Sequence, residues 1–398
     1  MQTSNRLEGI GEYYFSTKLR EIDDLNKQGK NIISLGIGSP DLPPHHSVIE
    51  TLSLEAEKPD SHGYQSYKGS PVLRKAIAGW YQKWYNVSLN PDTEILPLIG
   101  SKEGIMHICM TYINDGDTVL LPNPGYPTYR SAARLAGGKL VDYHLEAGKN
   151  WFPDFEELSG LVPPSTVTGR QRAILFVNYP HMPTGQLPTK SFFDQLISFA
   201  REYELLVIHD NPYSFILNEN PMSLLSVPGA RDHVIELNSM SKSQNMAGWR
   251  VGMMVGAKER INEVLRFKSN MDSGMFLPVQ LAAAKALELP LEWYRELNEV
   301  YKKRRTRVFE LLDLLRCEYS RDQAGLFVWA KVPASEGNGY ALSDQVLYGA
   351  NVFITPGGIF GDAGDSYVRI SLCCPEEKIT ESIERIKQFS GIKKPLHV

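Results

Sequence analysis

The stretch Ser239 to Gly252, SMSKSQNMAGWRVG, decides how the rest of this chain is interpreted. It places Lys242 among small hydroxyl residues, with Arg250 eight positions further on. A lysine held out of bulk water has a lowered pKa and can capture a carbonyl as a Schiff base. The serines and the arginine suit a phosphate group, because arginine gives charge-assisted bonds to phosphate oxygens. A lone lysine in such a loop is more often a surface residue, so this interpretation needs support from the rest of the chain.

The overall composition narrows the class of protein. The chain has 398 residues, 42% of them hydrophobic and 22% charged, which is ordinary for globular proteins and long enough for two domains. Its net charge of −4 gives no basic excess for nucleic-acid phosphates. No secretion signal and no apolar run of membrane-spanning length appear, so we expect a cytoplasmic protein without a membrane partner. The four cysteines form no CxxC pair or His/Cys cluster, so no metal site is predicted.

The middle of the chain alternates short apolar runs with helical patterns, which is typical of a mostly parallel α/β sheet. Apolar side chains at consecutive positions favour strands covered on both faces. We predict a large domain over residues 46–289, with a helix at 191–203 that crosses between two strands. The candidate strands cover residues 94–100, 118–124, 173–180, 205–210, 233–239 and 251–257.

The C-terminal third has a different pattern. Residues 292–315 read as one long amphipathic helix, followed by strands at 325–332 and 366–373 and a closing helix near 375–389. We expect a smaller α+β domain made of residues 1–45 and 290–398. The proline-bearing segment 288–293 is the predicted junction.

Residues able to do chemistry follow the ends of several predicted strands, where open parallel sheets bind their ligands. GSKEGI offers Ser101 and Lys102 to a phosphate at a helix N-terminus. PNPGYPTY presents Tyr126 as a flat stacking surface, and HDNPYSF carries Asp210 and Tyr213. A carboxylate there can hold a pyridinium nitrogen protonated, which makes the ring an electron sink. With the lysine segment, these features predict pyridoxal 5′-phosphate (PLP) as the cofactor.

With these motifs the chain resembles a known family, the class I/II aminotransferases of the PLP-dependent aspartate-aminotransferase fold. The resemblance runs from about Leu35 to Leu372 and keeps the family's order of motifs. GSKEGI and EYYFSTKLREI are also similar to the subgroup that includes LL-diaminopimelate and alanine aminotransferases. The motifs that carry the resemblance are LGIGSPDLP, YQSYKGSPVLRKAI, PNPGYPTY, DNPY, SMSKSQNMAGWRVG and SYVRISL.

The resemblance implies a role for each matched residue. Lys242 would form the Schiff base and move the substrate's α-proton, Asp210 would hold the ring nitrogen, and Tyr213 would bond the ring's 3′-oxygen. Arg369 would clamp the substrate's α-carboxylate, with the backbone of Gly38 nearby. Tyr64 would reach the phosphate from a neighbouring subunit, which implies a homodimer. The remaining cofactor-binding residues would be Ser101, Lys102, Tyr126, Ser239, Ser241 and Arg250.

One position departs from the family's pattern. In NYPHMPTG, Met182 stands where the family has an asparagine that donates to the ring's 3′-oxygen. A thioether cannot donate a hydrogen bond, so we expect a raised pKa of the Schiff base and a slower enzyme. Asn178 and His181 are candidates to compensate for the missing donor.

The expected activity is amino-group transfer between an L-amino acid and a 2-keto acid by ping-pong kinetics. A carbon–sulfur β-lyase on the same fold is the alternative that Met182 keeps open, and a non-catalytic PLP-binding protein is a third. The sequence does not define the substrate's side chain, although Tyr13, Tyr14 and Phe15 of the N-terminal segment are candidates to contact it.

Overall fold

The computed structural model describes residues 2–164 and 173–389. The parts of the two predicted domains at residues 1, 165–172 and 390–398 lie outside the described residues. The helices are α1 Tyr14–Lys27, α2 His46–Ala56, α3 Pro71–Tyr85, α4 Ser101–Tyr112, α5 Pro127–Leu135, α6 Phe155–Leu161, α7 Lys190–Glu202, α8 Lys258–Lys268, α9 Leu277–Leu287, α10 Leu291–Leu314, α11 Gly339–Ala350 and α12 Glu376–Gln388. The strands are β1 Ile33–Ser34, β2 Ile95–Leu98, β3 Thr118–Asn123, β4 Lys139–His144, β5 Ile174–Asn178, β6 Leu206–Asp210, β7 Val234–Ser239, β8 Gly252–Gly256, β9 Phe327–Lys331, β10 Val352–Phe353, β11 Thr355–Pro356 and β12 Tyr367–Ser371.

A seven-stranded sheet forms the centre of the protein, in the order β2-β8-β7-β6-β5-β3-β4. Neighbouring strands from β7 to β4 run parallel, and β8 runs antiparallel to both β2 and β7. Every residue of β5, β6 and β7 is buried, as expected for strands covered by helices on both faces. The predicted α/β class with a mostly parallel sheet is therefore confirmed.

The edge strand β4 was not predicted from the sequence. Its residues, KLVDYH, are mostly half-buried or exposed, so they lack the continuous apolar run that marks the central strands. The strand pairs in parallel with β3 from Thr118 opposite Lys139 to Asn123 opposite His144. The predicted crossover helix is observed as α7, where the Thr189 side chain caps the first turn by accepting from the backbone N–H of Phe192.

The remaining strands lie in two small sheets. β9, β12 and β11 form an antiparallel sheet, and β1 pairs in parallel with β10. Through this pairing Ile33 and Leu35 join the apolar core formed by the C-terminal third. The long helix α10 contributes Tyr294, near its start, to a different core, and it contributes Leu311 and Leu312, near its end, to this one. The division at residues 45 and 290 stays a prediction.

Candidate active site

The carboxyl ends of the parallel strands open into a cavity of about 300 Å³. Most residues that the sequence analysis selected line this cavity, although they come from segments far apart in the chain. Those lining residues are Gly38, Ser101, Lys102, Tyr126, Asp210, Tyr213, Ser239, Ser241, Lys242, Arg250 and Arg369. Tyr64 does not line it, and its side chain is 96% exposed.

Lys242 reaches into the cavity from the loop after β7. Its Nζ donates to the backbone oxygen of Gly38 at 2.8 Å and lies 5.8 Å from the centre of the Tyr213 ring. Burial lowers the pKa of the Lys242 ammonium, because the charged form loses its hydration. A larger neutral fraction is what an amine needs to attack a carbonyl carbon.

Asp210 ends β6 and is 4% exposed. Its Oδ2 accepts from the hydroxyl of Tyr129 at 2.7 Å, while its Oδ1 is buried and has no partner within the described residues. Burial raises the pKa of the Asp210 carboxyl to about 6, more than the Tyr129 hydrogen bond lowers it. A protonated ring nitrogen at Oδ1 would supply the missing partner, so this carboxylate fits the pyridinium of PLP.

A second part of the cavity suits a phosphate. Helix α4 begins after Gly100 with no side-chain cap, and the N–H of Glu103 donates to the backbone oxygen of Gly100 at 3.2 Å. The N–H groups of Ser101 and Lys102, which precede it, are the ones that can meet an anion. Gly100 has a φ of +81°, and a Cβ there would lie 2.2 Å from Nη2 of Arg250. The positive φ requires glycine here, whereas the flexible end of Arg250 could move aside for a Cβ. Burial, followed by the charge of Arg250, lowers the pKa of Lys102, so the two cations lie near enough to act on one phosphate.

Arg369 lies on β12, 4% exposed, with its guanidinium among three aromatic rings. The carbon Cζ is 3.7 Å from the centre of the Phe327 ring and 4.6 Å from that of Phe360. Nη2 donates to the backbone oxygen of Gly36 at 2.9 Å, and Nε has no partner in the described part of the chain. Burial lowers the pKa of Arg369 to about 10, which leaves it charged at neutral pH. Within residues 2–164 and 173–389 no carboxylate forms an ion pair with this buried cation, so it is a ready receptor for one.

Met182 lies beside this arginine. Its Sδ accepts from Nη1 of Arg369 at 3.2 Å, and the side chain is 5% exposed. Asn178 lines the cavity, but its amide donates to the backbone oxygen of Asp210 at 2.6 Å and accepts from the N–H of Met182 at 2.8 Å. His181 is buried, bonds Thr184 and does not line the cavity. The geometry therefore offers His181 no route to the site, and it leaves Asn178 largely engaged with backbone.

Sequence reasoning missed three residues of the site. Tyr129 supports Asp210, and its spacing of three from Tyr126 in PNPGYPTY was the available signal, since Tyr126 is the N-cap of α5 and Tyr129 lies in the first turn. Phe327 and Phe360 surround Arg369 and carry no motif of their own. Tyr13 and Phe15, candidates from the N-terminal segment, line the cavity, whereas Tyr14 does not.

The fold places a buried lysine, a buried carboxylate and an uncapped helix start around one cavity at the carboxyl ends of a parallel sheet. Residues 30–386 match the family described as aminotransferase class I and II. The chain belongs to this family. It is an aminotransferase that uses PLP and takes an amino acid and a keto acid as substrates.

Individual relatives agree with the family assignment. The chain is 40% identical to an LL-diaminopimelate aminotransferase of Dehalococcoides mccartyi, across 99% of this chain and all of the relative. It is 39% identical to the enzyme of the same name from Aquifex aeolicus, across 97% and 98%. Among solved structures, apo-BacF from Bacillus subtilis superposes with a TM-score of 0.91 at 34% identity, covering 97% of this chain and 98% of BacF. These names support the transferase over the carbon–sulfur lyase and the non-catalytic protein.

Over residues 2–164 and 173–389, none of the helices combines the length and the apolar character needed to cross a bilayer.

Proposed function

We propose that Lys242, Asp210 and Tyr213 are the catalytic residues of this aminotransferase. The observation that carries the proposal is that one cavity holds both a lysine with a lowered pKa and a buried carboxylate oxygen for which the described residues offer no partner. PLP, when bound, supplies an aldehyde for the lysine and a ring that withdraws electrons from the substrate's α-carbon.

Each residue then has one task. Nζ of Lys242 takes the proton from the substrate's α-carbon and later returns a proton, acting as base and then as acid. Asp210 holds a proton on the ring nitrogen, and the bond from Tyr129 keeps that carboxylate oriented. The phenol of Tyr213 donates to the ring oxygen, and the ring of Tyr126 offers a stacking surface.

Binding depends on two sets of positive groups that line the cavity. The uncapped start of α4, with Ser101, Lys102 and Arg250, holds the phosphate, and Ser239 and Ser241 add hydroxyl groups. Arg369 binds the α-carboxylate of the amino acid. The Phe327 ring against Arg369 excludes water, which strengthens the ion pair.

We also propose that the enzyme is a homodimer with Tyr64 in the partner's site, and that it acts in the cytoplasm. Several large apolar side chains are exposed on adjoining segments of this subunit, and two such segments touch where Gly274 packs against the backbone of Ser66. An exposed apolar patch of this kind is typical of a protein–protein interface. The exposed side chains are Tyr64, Tyr67, Val72, Met271 and Phe276.

Replacement of the lysine tests the assignment. Lys242→Ala should fold and bind PLP but lose the absorbance near the visible edge that a lysine Schiff base gives. Lys285→Ala, which changes a surface lysine on α9, is the matched control and should keep that absorbance. Circular dichroism of both variants separates loss of the Schiff base from loss of the fold. An unchanged spectrum in folded Lys242→Ala would refute the assignment.

A further inference from the structure

Arg304 is a buried cation that the proposed function does not use. It lies on α10, is 4% exposed, and forms an ion pair with Asp41. Its Nη1 and Nη2 donate to the two carboxylate oxygens of Asp41 at 2.6 and 2.8 Å, and Nη1 also donates to the backbone oxygen of Leu372 at 3.0 Å. A planar guanidinium that bonds both oxygens of one carboxylate fixes its direction as well as its distance. The pair therefore joins three parts of the chain: α10, the segment after β1 and the end of β12.

Residues 35–41, which we call the glycine segment, contact both cations on which the proposed chemistry depends. The backbone oxygen of Gly36 accepts from Nη2 of Arg369 at 2.9 Å, and that of Gly38 accepts from Nζ of Lys242 at 2.8 Å. The two acceptors are two residues apart in the chain. The position of this segment therefore affects both the carboxylate receptor and the lysine.

The glycine segment is fixed at both of its ends. At the first end Ser371 of β12 donates its backbone N–H to the oxygen of Leu35 and its hydroxyl to the oxygen of Ile37, both at 2.7 Å. Among the described residues, the next hydrogen bond along the segment after Gly38 is the one between Asp41 and Arg304. The ion pair thus defines where the second end of the segment lies.

We infer that Arg304 and Asp41 are positioning residues for amino transfer, because they hold the glycine segment at the place where Lys242 and Arg369 keep the separation that the substrate needs. The inference rests on the proposed roles of Lys242 and Arg369. Neither Arg304 nor Asp41 lines the cavity, so both act through the segment and not on the substrate itself. A displacement of about 1 Å at the reacting atoms costs about a hundredfold in rate, so a small movement of the segment has a measurable effect.

The test is a single-turnover measurement on PLP-loaded wild type and Arg304→Lys. The probes are L-alanine, L-glutamate, L-phenylalanine and LL-diaminopimelate, and the one that reacts fastest with wild type is used for the comparison. The rate of loss of Schiff-base absorbance is followed over a range of probe concentrations, which separates the maximal rate from the apparent dissociation constant. Sites are counted by the absorbance before the probe is added, so that only folded, loaded enzyme enters the rate.

Lysine keeps the positive charge of Arg304 but cannot make its paired bonds, so the maximal rate should fall by at least about tenfold. The dissociation constant should change by less than about threefold, because Arg369 keeps its own charge and still binds the α-carboxylate. An unchanged maximal rate would overturn the inference, and so would a change in the dissociation constant alone. No reaction of wild type with any probe would count against the proposed catalytic residues, and the inference would fall with them.

Arg307, one turn further along α10, provides the matched control. Its guanidinium pairs with Glu310 and Glu376 at the surface, so Arg307→Lys should keep the wild-type maximal rate. A tenfold loss in this control as well would show that any change on the helix slows the enzyme, and would overturn the inference.

Asp41→Asn tests the same contact from its other side. The Asp41 side chain is 24% exposed and asparagine has nearly the same shape, so this variant serves where Arg304→Lys does not fold. It should also lower the maximal rate, and an unchanged rate in the folded variant would overturn the inference. The double variant should lose no more rate than the slower single variant, because both changes break one contact. Losses that multiply would show that the two residues act separately, which contradicts the inference.

Discussion

Met182→Asn tests most directly how the missing hydrogen-bond donor affects this active site. Sδ of Met182 accepts from Nη1 of Arg369, a group that can only donate. In the variant the amide oxygen would take over that bond, which turns the amide NH₂ toward the cavity. The cofactor's ring oxygen would then gain a donor beside Tyr213.

The expected shift can be estimated. A hydrogen bond to a charged group contributes about 1.5–3 kcal/mol. One pKa unit corresponds to about 1.36 kcal/mol, so a donor that favours the deprotonated Schiff base should lower its pKa by about 1–2 units. The variant should also turn over faster near neutral pH, because more of the enzyme starts in the reactive form.

A spectral pH titration of the PLP-loaded variant measures this pKa. Met182→Leu is the control, because it keeps the volume and removes the sulfur without adding a donor. The reasoning fails if the asparagine and leucine variants titrate together, since the amide would then not reach the ring oxygen.

Two further predictions concern the ring carboxylate and the subunit interface. In the cofactor-free enzyme, Asp210 has a pKa raised to about 6 from 3.8, so the folded state holds this proton more tightly than the unfolded state. Stability from this group is therefore present below pH ~4 and falls between pH ~4 and ~6, by about 3 kcal/mol. Urea unfolding of wild type and Asp210→Asn across this range should show the slope in wild type alone, and parallel curves would contradict it. Mixing Tyr64→Ala with Lys242→Ala subunits should restore about a quarter of the native sites if Tyr64 acts across a twofold interface. An assay at limiting PLP that shows no recovery would place Tyr64 in its own subunit's site or outside any site.

Much of the fold follows from local pattern. The central strands were predictable because consecutive apolar residues such as ILFVN in β5 require cover on both faces. The strand β4 was not, because its exposure at the sheet edge removes that signal. The antiparallel direction of β8 was also beyond local pattern, since it depends on pairing with both β2 and β7.

The residues of the site also differ in whether the sequence could predict them. Lys242, Asp210 and Arg250 were identifiable because each lies in a motif whose chemistry is local to a few residues. Phe327 and Phe360 were not, because their contact with Arg369 arises where separate segments of the chain meet.

The amino-acid sequence alone determined the α/β class, the PLP chemistry and the side chains that line the cavity's cofactor end. These follow from residue type and order, which a chain carries before it folds. Only the tertiary structure showed that Oδ1 of Asp210 has no partner within the described residues and that the thioether of Met182 lies beside Arg369. It also placed Tyr13 and Phe15 of the N-terminal segment in the lining of the cavity. Each of these is a contact between distant segments, and packing selects such contacts through burial and hydrogen bonding that no local pattern encodes.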